Sequence, residues 1–242
     1  MKYIYVIIFF IIFASPCISD EINDNDLKTI QDGDSYSAEI VLIKLQKLYK
    51  AEGEKPLAPY IPTISLRIIK VLDIYKEGLG EEGEFLGDLL RILSVAGDIR
   101  AKEALLRAMT SQVCGTIISK GLLRLGPQVL PDIVKYLDSD DNRIKMNTIS
   151  TLYEMAEIDS AGTYFSEKDR ININEKLLSL INDNNRHIKR RSVKAMGYFG
   201  DKSVIPLLEK VMTNDTYKTE TGFYVIREEA KKAITRLKEQ EK

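Results

Sequence analysis

The stretch that decides the fold is Ile188–Val211, with the sequence IKRRSVKAMGYFGDKSVIPLLEKV. Its first half has apolar or small residues at the first, fifth, eighth, ninth and twelfth positions, which fall on one stripe of a helix. Its second half opens with Gly200-Asp201, which suits a helix end, and continues into a short apolar segment with an early proline, Pro206. The stretch therefore predicts two consecutive helices joined by a short turn.

The first half of this stretch recurs twice, as IKMNTISTLYEM from Ile144 and as IREEAKKAITRL from Ile226. All three copies begin with Ile followed by a basic residue, and all have small residues at the fifth and eighth positions. Asp141 and Asn185, each three residues before an Ile, are candidate N-caps. Since small residues on a helix stripe let a neighbouring helix approach closely, the copies predict similar helices stacked against each other.

The second half recurs as well, as GDIRAKEALL at 97–106 and GPQVLPDIVKYL at 126–137. In its basic residue, small positions, Gly-Asp turn and Val-Ile-Pro-Leu-Leu segment, Ile188–Val211 resembles the HEAT-like (armadillo-type) helical repeat family. The resemblance extends over roughly 97–237. It implies an all-α fold, an α-solenoid of about five antiparallel helix pairs that bury their apolar faces on one another.

The chain divides into four parts. They are a signal peptide at 1–19, a flexible acidic lead-in at 20–33, divergent N-terminal helical pairs at 34–96, and the HEAT-like repeats at 97–242. The lead-in, DEINDNDLKTIQDG, is polar and poor in apolar residues. Two insertions, Asp159–Arg170 and Asn214–Gly222, lengthen the steps between matching helices of the repeats.

Residues 1–19 have the features of a secretory signal peptide. Lys2 supplies the positive start, and Tyr3–Ala14 is an apolar run of twelve residues, shorter than the roughly 20 that a helix needs to span a bilayer. Cleavage after Ser19 predicts an exported protein, periplasmic or secreted. Two alternatives keep the chain at a membrane: acylation of Cys17, as in a lipoprotein, and an N-terminal anchor that is not cleaved.

Composition gives little pull toward a charged partner. The formal net charge is −1, and it becomes −2 after removal of residues 1–19, which contain one base and no acid. A near-neutral chain has no general attraction for nucleic acid or for an anionic membrane. Of the two cysteines, only Cys114 remains in the mature chain, so an intramolecular disulfide is not possible there.

The segment that most suggests a functional site is the basic start of the helix predicted around Ile188. Five basic side chains lie within Arg186–Lys194, beside the single histidine of the chain. With Ile188 facing the core, the residues expected on the opposite, solvent side are His187, Arg190, Arg191 and Lys194. A nucleic-acid groove would need the neighbouring helices to continue this basic face, and they do not. Their equivalent residues are Met146, Asn147, Ser150, Glu228, Glu229 and Lys232. We therefore expect a solvated face or a contact with an acidic partner, and no nucleic-acid binding.

No motif predicts catalysis, a cofactor or a metal. Any histidine-dependent triad or metal site must use His187, which we expect at the surface. GLGEEG at 78–83 matches a dinucleotide-binding pattern, but a helix is predicted before it and its Glu residues would repel a pyrophosphate. Cys114 is expected to be a buried, inert thiol. The carboxylates at 32–34 and 138–141 lack an EF-hand pattern and are better explained by capping and loop solubility.

These observations predict a noncatalytic protein-binding scaffold that works outside the cytoplasm, because a solenoid offers an extended curved surface to another protein. Aromatic residues in or beside the two insertions are candidate anchors at that interface. They are Tyr164, Phe165, Tyr217, Phe223 and Tyr224. Two alternatives stay open. The HEAT-like resemblance also implies a likeness to subunits of bilin lyases, which handle a tetrapyrrole on a partner protein, and the other is a structural component of the envelope.

Overall fold

The chain is almost entirely helical. The computed structural model describes residues 22–74, 82–111, 115–159 and 161–239, and these contain twelve α-helices and no β-strand. The all-α prediction is confirmed. The helices are α1 (Asp24–Asp32), α2 (Ser35–Glu52), α3 (Ile61–Ile74), α4 (Glu82–Ala96), α5 (Lys102–Thr110), α6 (Thr116–Arg124), α7 (Leu130–Val134), α8 (Asn142–Ile158), α9 (Glu167–Leu180), α10 (Arg186–Phe199), α11 (Ile205–Asn214) and α12 (Val225–Glu239).

Helices α8 and α10 begin at the two predicted capping residues. The side chain of Asp141 accepts hydrogen bonds from the backbone N–H groups of Arg143 and Ile144, and that of Asn185 accepts one from His187. These caps satisfy donors that the first turn of a helix leaves without intrahelical partners. They fix where two of the three repeat copies start, and so which way their apolar stripes point.

The apolar stripe of the repeat copies is buried, as predicted. Of its fifteen positions in the three copies, all are buried except Ile144, which is partly exposed. Small residues on and beside the stripe bring helices together: a Cβ added at Gly197 of α10 would lie 2.9 Å from the Cα of Ala233 on α12. The stripe is therefore the surface through which the repeat-bearing helices pack.

The three Gly-led segments start with a 3-10 turn before the α-helix. These turns are Ile99–Ala101, Pro127–Val129 and Lys202–Val204, and they lead into α5, α7 and α11. Gly97 and Gly126 have φ angles of 61° and 88°, in the left-handed region that favours glycine, whereas Gly200 is extended. The first two turns therefore require glycine for its φ angle. Gly200 is required for space, because a Cβ there would lie 2.7 Å from the carbonyl oxygen of Met196.

The helices pack in consecutive pairs. Each odd-numbered helix contacts the even-numbered helix that follows it, from α1 with α2 to α11 with α12. The even-numbered helices also contact one another in chain order, from α2 to α12, and we call them the even row. Helix α11 packs on α12 in preference to α10. The two helices of Ile188–Val211 therefore belong to neighbouring pairs, α9–α10 and α11–α12.

The flexible lead-in predicted at 20–33 contains helix α1 instead, and this corrects the sequence interpretation. Asn23 and Asp26 form a capping box at its start, and Ile30 is fully buried in the core. Lys44 of α2 forms an ion pair with Asp26, with 3.0 Å between Nζ and Oδ2. A reciprocal cap and one buried apolar side chain fold a segment whose composition is otherwise polar.

Several predicted features lie outside the described residues. They are the signal peptide at 1–19 with Cys17, most of GLGEEG at 78–83, and Cys114. The segment before GLGEEG is the helix α3, as predicted. Within the four described ranges, no helix is both long enough and apolar enough to cross a membrane. The division of the repeats at residue 97 stays a prediction.

Candidate functional site

The predicted basic residues meet at a small open cleft on the even row, which we call the basic cleft. Arg190, Arg191 and Lys194 of α10 line it together with Tyr153 of α8. The cleft holds about 100 Å³ and opens to solvent. The fold thus collects three of the four predicted basic residues at one place and adds a tyrosine from the neighbouring helix.

Arg191 is held in this cleft by contacts to two of the three nitrogens of its guanidinium. Its Nε donates a hydrogen bond to the Oγ of Ser150 at 3.0 Å, and its Nη1 lies 3.5 Å from the Sδ of Met146. Nη1 also donates to the carbonyl oxygen of His187 at 3.4 Å. Within the described part of the chain, the two N–H groups of Nη2 have no partner. Arg191 is therefore fixed in place with its Nη2 group open.

Lys194 is positioned by an aromatic stack that joins three helices. Its Nζ lies 3.9 Å from the ring centroid of Tyr153, which stacks on Tyr198 of α10 with 6.2 Å between ring centroids. The guanidinium of Arg236 on α12 lies 3.9 Å from the ring centroid of Tyr198. Two cations thus flank two aromatic rings, an arrangement that the ring quadrupoles favour. Burial raises the pKa of Tyr198 to about 12 although Arg236 acts the other way, so this phenol is neutral at physiological pH.

The side of α10 predicted to face solvent is in part a seam with both neighbouring helices. Arg191 and Lys194 are partly buried against α8, whereas Arg190 and His187 are exposed. Arg190 reaches α12, where its Nη2 donates to the Oε1 of Glu229 at 3.5 Å. The correction has a geometric reason: residues beside the packing stripe face the groove between adjacent helices and not open solvent. Among the described residues, Glu229 pairs with Arg190 and no carboxylate pairs with Arg191 or Lys194, although Glu157 of α8 acts on the neighbouring Tyr198. The residues that line the basic cleft therefore carry excess positive charge.

His187 lies at the N-terminal end of α10 and senses this charge. Partial burial and the positive charges of Arg186, Arg191 and Arg190 lower the pKa of His187 below its usual value of 6.5. The Nε2 of His187 also accepts a hydrogen bond from the Nε of Arg186 at 3.4 Å. The imidazole is therefore neutral near pH 7, and its pKa reports the electrostatic potential beside the cleft.

The substitution Arg191→Gln is expected to raise the pKa of His187 toward 6.5, because it removes one of the charges that disfavour the imidazolium. The pKa is measured by NMR titration of the ring protons, which are unambiguous because the chain has one histidine. Lys210→Gln, at an exposed position of α11, is the control with the same charge change and should leave the pKa unchanged. An equal or lower pKa in the Arg191 variant would contradict this electrostatic assignment.

The first insertion folds inward, contrary to the prediction that its aromatic residues anchor a partner. Phe165 is only 3% exposed and contacts the rings of Tyr164 and Phe199 edge to face, with centroids 5.0 Å apart in both cases. The hydroxyl of Tyr164 donates to the carbonyl oxygen of Gly126 at 2.8 Å, and burial raises its pKa. Phe165 is therefore a core residue, and Tyr164 ties the insertion to the segment between α6 and α7.

The second insertion is held by the basic position of the repeat. The Nζ of Lys189 lies 2.6 Å from the Oδ2 of Asp215, whose side chain is 5% exposed. Arg227, at the same repeat position in α12, donates through Nε to the carbonyl oxygen of Asp215 at 2.6 Å. The guanidinium of Arg186 lies 4.7 Å from the ring centroid of Tyr217 in the same insertion. Two repeat copies thus use their basic residue to fasten the start of this insertion.

Phe223 is the one exposed residue among the five predicted aromatic anchors, with 53% of its surface accessible. Tyr217 and Tyr224 are partly buried. The ring of Tyr224 lies between two cations, with its centroid 3.9 Å from the Arg227 guanidinium and 4.7 Å from the Lys218 ammonium. Phe223 therefore stays the best candidate for an apolar contact with a partner.

Sequence reasoning missed the aromatic stack of Tyr153, Tyr198 and Arg236. A signal was present, because the two tyrosines occupy the tenth position of one repeat copy and the eleventh of the next. These positions flank the packing stripe, so adjacent stacked helices bring them together. Neither the packing stripe nor the basic face includes these flanking positions.

Carboxylates of the two predicted clusters, at 32–34 and 138–141, serve capping and pairing. Asp34 caps α2, and Asp138 pairs with Lys176 at 2.5 Å. In the described ranges, no group of three or more His, Cys, Asp or Glu side chains is placed to hold a metal ion.

No protein-family model matches this chain, and comparison with curated proteins gave no match. Its function must therefore be argued from the repeat and from the basic cleft.

Proposed function

We propose that this chain is an exported, noncatalytic protein-binding scaffold, built as a short α-solenoid of antiparallel helix pairs of the HEAT-like type. The pattern of helix contacts supports the solenoid. Each helix pair contacts its neighbours in the chain, and the even row runs continuously from α2 to α12. The apolar run at the N-terminus of the sequence supports export.

The observation that carries the binding function is the basic cleft. Solenoid proteins present recognition surfaces along one row of their helices, and the cleft lies on the even row. Arg191 and Lys194 are held there with no carboxylate partner in the described ranges. Cations that line an open cleft and lack an internal counter-charge are suited to an acidic surface on another protein.

The surroundings of His187 favour binding over catalysis. A histidine that acts as a general base is normally oriented by a carboxylate on its second nitrogen. In the described ranges, no carboxylate contacts His187, and the residues that shift its pKa are three arginines. This arrangement lowers the basicity of the imidazole and supplies no neighbouring nucleophile for it to activate.

Photo-crosslinking tests the scaffold function. We expect benzoylphenylalanine placed at Arg190 or Phe223 to capture the same defined protein in the native host. Both positions are exposed, the first at the basic cleft and the second at the candidate apolar contact. The same group at Lys210 is the control and should not capture it. The mass of the product also shows whether residues 1–19 were removed. Capture of one identical mixture at all three positions, or of nothing at any of them, would overturn the proposal.

A further inference from the structure

We propose that the basic cleft binds a carboxylate side chain from an acidic peptide segment of the partner protein. This inference rests on the proposed scaffold function and gives its ligand a chemistry. The ligand is an Asp or Glu carboxylate, bound by the Nη2 group of Arg191 and by the ammonium of Lys194, which lies over the ring of Tyr153.

The positive charge of the basic cleft favours an anionic ligand. Many cations of this protein are paired internally; examples are Lys44 with Asp26, Lys102 with Asp132, Lys176 with Asp138 and Lys189 with Asp215. At the basic cleft, by contrast, Glu229 reaches Arg190 at 3.5 Å and, among described residues, no carboxylate pairs with Arg191 or Lys194. A focused excess of positive charge in a concave place attracts an anion.

The side chains of Arg191 and Lys194 are preorganised for binding. The Nε of Arg191 donates to Ser150, and its Nη1 contacts Met146 and the carbonyl oxygen of His187. The side chain is therefore ordered before any ligand binds. The two N–H groups of Nη2 are the donors left for a ligand. Lys194 is likewise ordered by its contact with the Tyr153 ring. Binding an anion therefore costs little side-chain entropy and forms charge-assisted hydrogen bonds.

The volume of the basic cleft limits the size of its ligand. At about 100 Å³ the cleft is well below the roughly 300–1,000 Å³ of pockets that enclose whole small molecules. A side-chain head group fits this volume, with the rest of a peptide lying on the surface outside. The neighbouring helix α12 does not continue the basic face, since it carries Glu228 and Glu229, so the cleft suits one carboxylate and not a run of phosphates.

The test is fluorescence anisotropy with the purified chain, a short fluorescein-labelled Glu-rich peptide and its Gln-substituted counterpart. We expect the Glu-rich peptide to bind, binding to weaken as salt rises, and the Gln peptide not to bind measurably. Arg191→Gln and Lys194→Gln should each raise the Kd at least about tenfold, since each removes a charge-assisted contact. Lys210→Gln, with the same charge change on α11, should leave the Kd unchanged. Circular dichroism and the Tm establish that each variant is folded.

A second measurement needs no variant. Titration of the wild-type chain with the Glu-rich peptide should raise the pKa of His187, because a bound carboxylate offsets the arginine charges that lower it. Equal binding of the Gln peptide, an equal effect of Lys210→Gln, no change at His187, or tighter binding of inorganic phosphate or a single-stranded oligonucleotide would each overturn the proposal.

The two proposals fail in different ways. If crosslinking at Arg190 captures a partner but Arg191→Gln and Lys194→Gln leave its affinity unchanged, the scaffold function holds and the carboxylate site is wrong. If crosslinking captures no specific protein, the scaffold function itself fails, whatever the peptide does.

Discussion

Phe165→Ala is expected to lower the free energy of unfolding by about 3–5 kcal/mol, the range observed when a buried Phe is replaced by Ala. Phe165 is 3% exposed and its ring contacts those of Tyr164 and Phe199. The substitution removes buried apolar surface and both aromatic contacts, and it leaves a cavity between the insertion and α10. Urea denaturation followed by far-UV circular dichroism measures the change.

Phe223→Ala is the matched control for this experiment. It removes the same side chain from a position that is 53% exposed beside the other insertion. We expect a change within about 0.5 kcal/mol, as for other surface substitutions. Equal destabilisation by the two variants would contradict the placement of Phe165 in the core. If Phe165→Ala does not fold, Phe165→Leu keeps most of the apolar volume and should give an intermediate loss.

The helical stripe could be predicted from the sequence because its information is local. Helix periodicity places residues of one copy on one face, and the recurrence at Ile144, Ile188 and Ile226 indicates what that face packs against. Fourteen of the fifteen stripe positions are buried. The caps at Asp141 and Asn185 could be predicted for the same reason, since a cap and its donors are neighbours in the chain.

The insertions could not be assigned in this way. Tyr164 and Phe165 stand in a polar loop sequence, DSAGTYFSEKDR, whose composition indicates an exposed segment. Their burial depends on partners far away in sequence, Gly126 and Phe199. No periodicity connects a loop residue to such partners. The sequence of a loop is therefore equally compatible with an aromatic side chain that contacts a partner protein and with one that is buried in the core.

The basic face was predicted in part. The equivalence of positions between copies identified Met146 and Ser150 as neighbours of the face, and Arg191 does contact both. What the equivalence did not reveal is direction. The long side chains of Arg191 and Lys194 turn toward α8 and its Tyr153, a choice set by hydrogen-bonding and aromatic partners and not by helix periodicity. The cleft is the result of that choice.

Lys189→Met is expected to lower the free energy of unfolding by about 3–5 kcal/mol, because it leaves the carboxylate of Asp215 buried without its cation. The ion pair is 2.6 Å long and the Asp215 side chain is 5% exposed. The matched control is Lys176→Met, which breaks an ion pair of 2.5 Å to Asp138, whose side chain is 65% exposed. We expect that variant to lose less than about 1 kcal/mol, since water solvates the exposed carboxylate.

The double variant Lys189→Met/Asp215→Asn separates the buried charge from the other interactions of this position. Asn keeps an oxygen that can accept the hydrogen bond which the Tyr217 N–H gives to Asp215, at 3.0 Å, but it carries no charge. We therefore expect the double variant to recover most of the stability lost by Lys189→Met. With Asp215→Asn measured as well, the double-mutant cycle gives the coupling energy of the pair. If the double variant is no more stable than Lys189→Met, the loss comes from packing of the lysine stem and not from the unpaired carboxylate. Recovery would mean that Lys189, the basic residue of the repeat in α10, holds the start of the insertion Asn214–Gly222 through the buried carboxylate of Asp215.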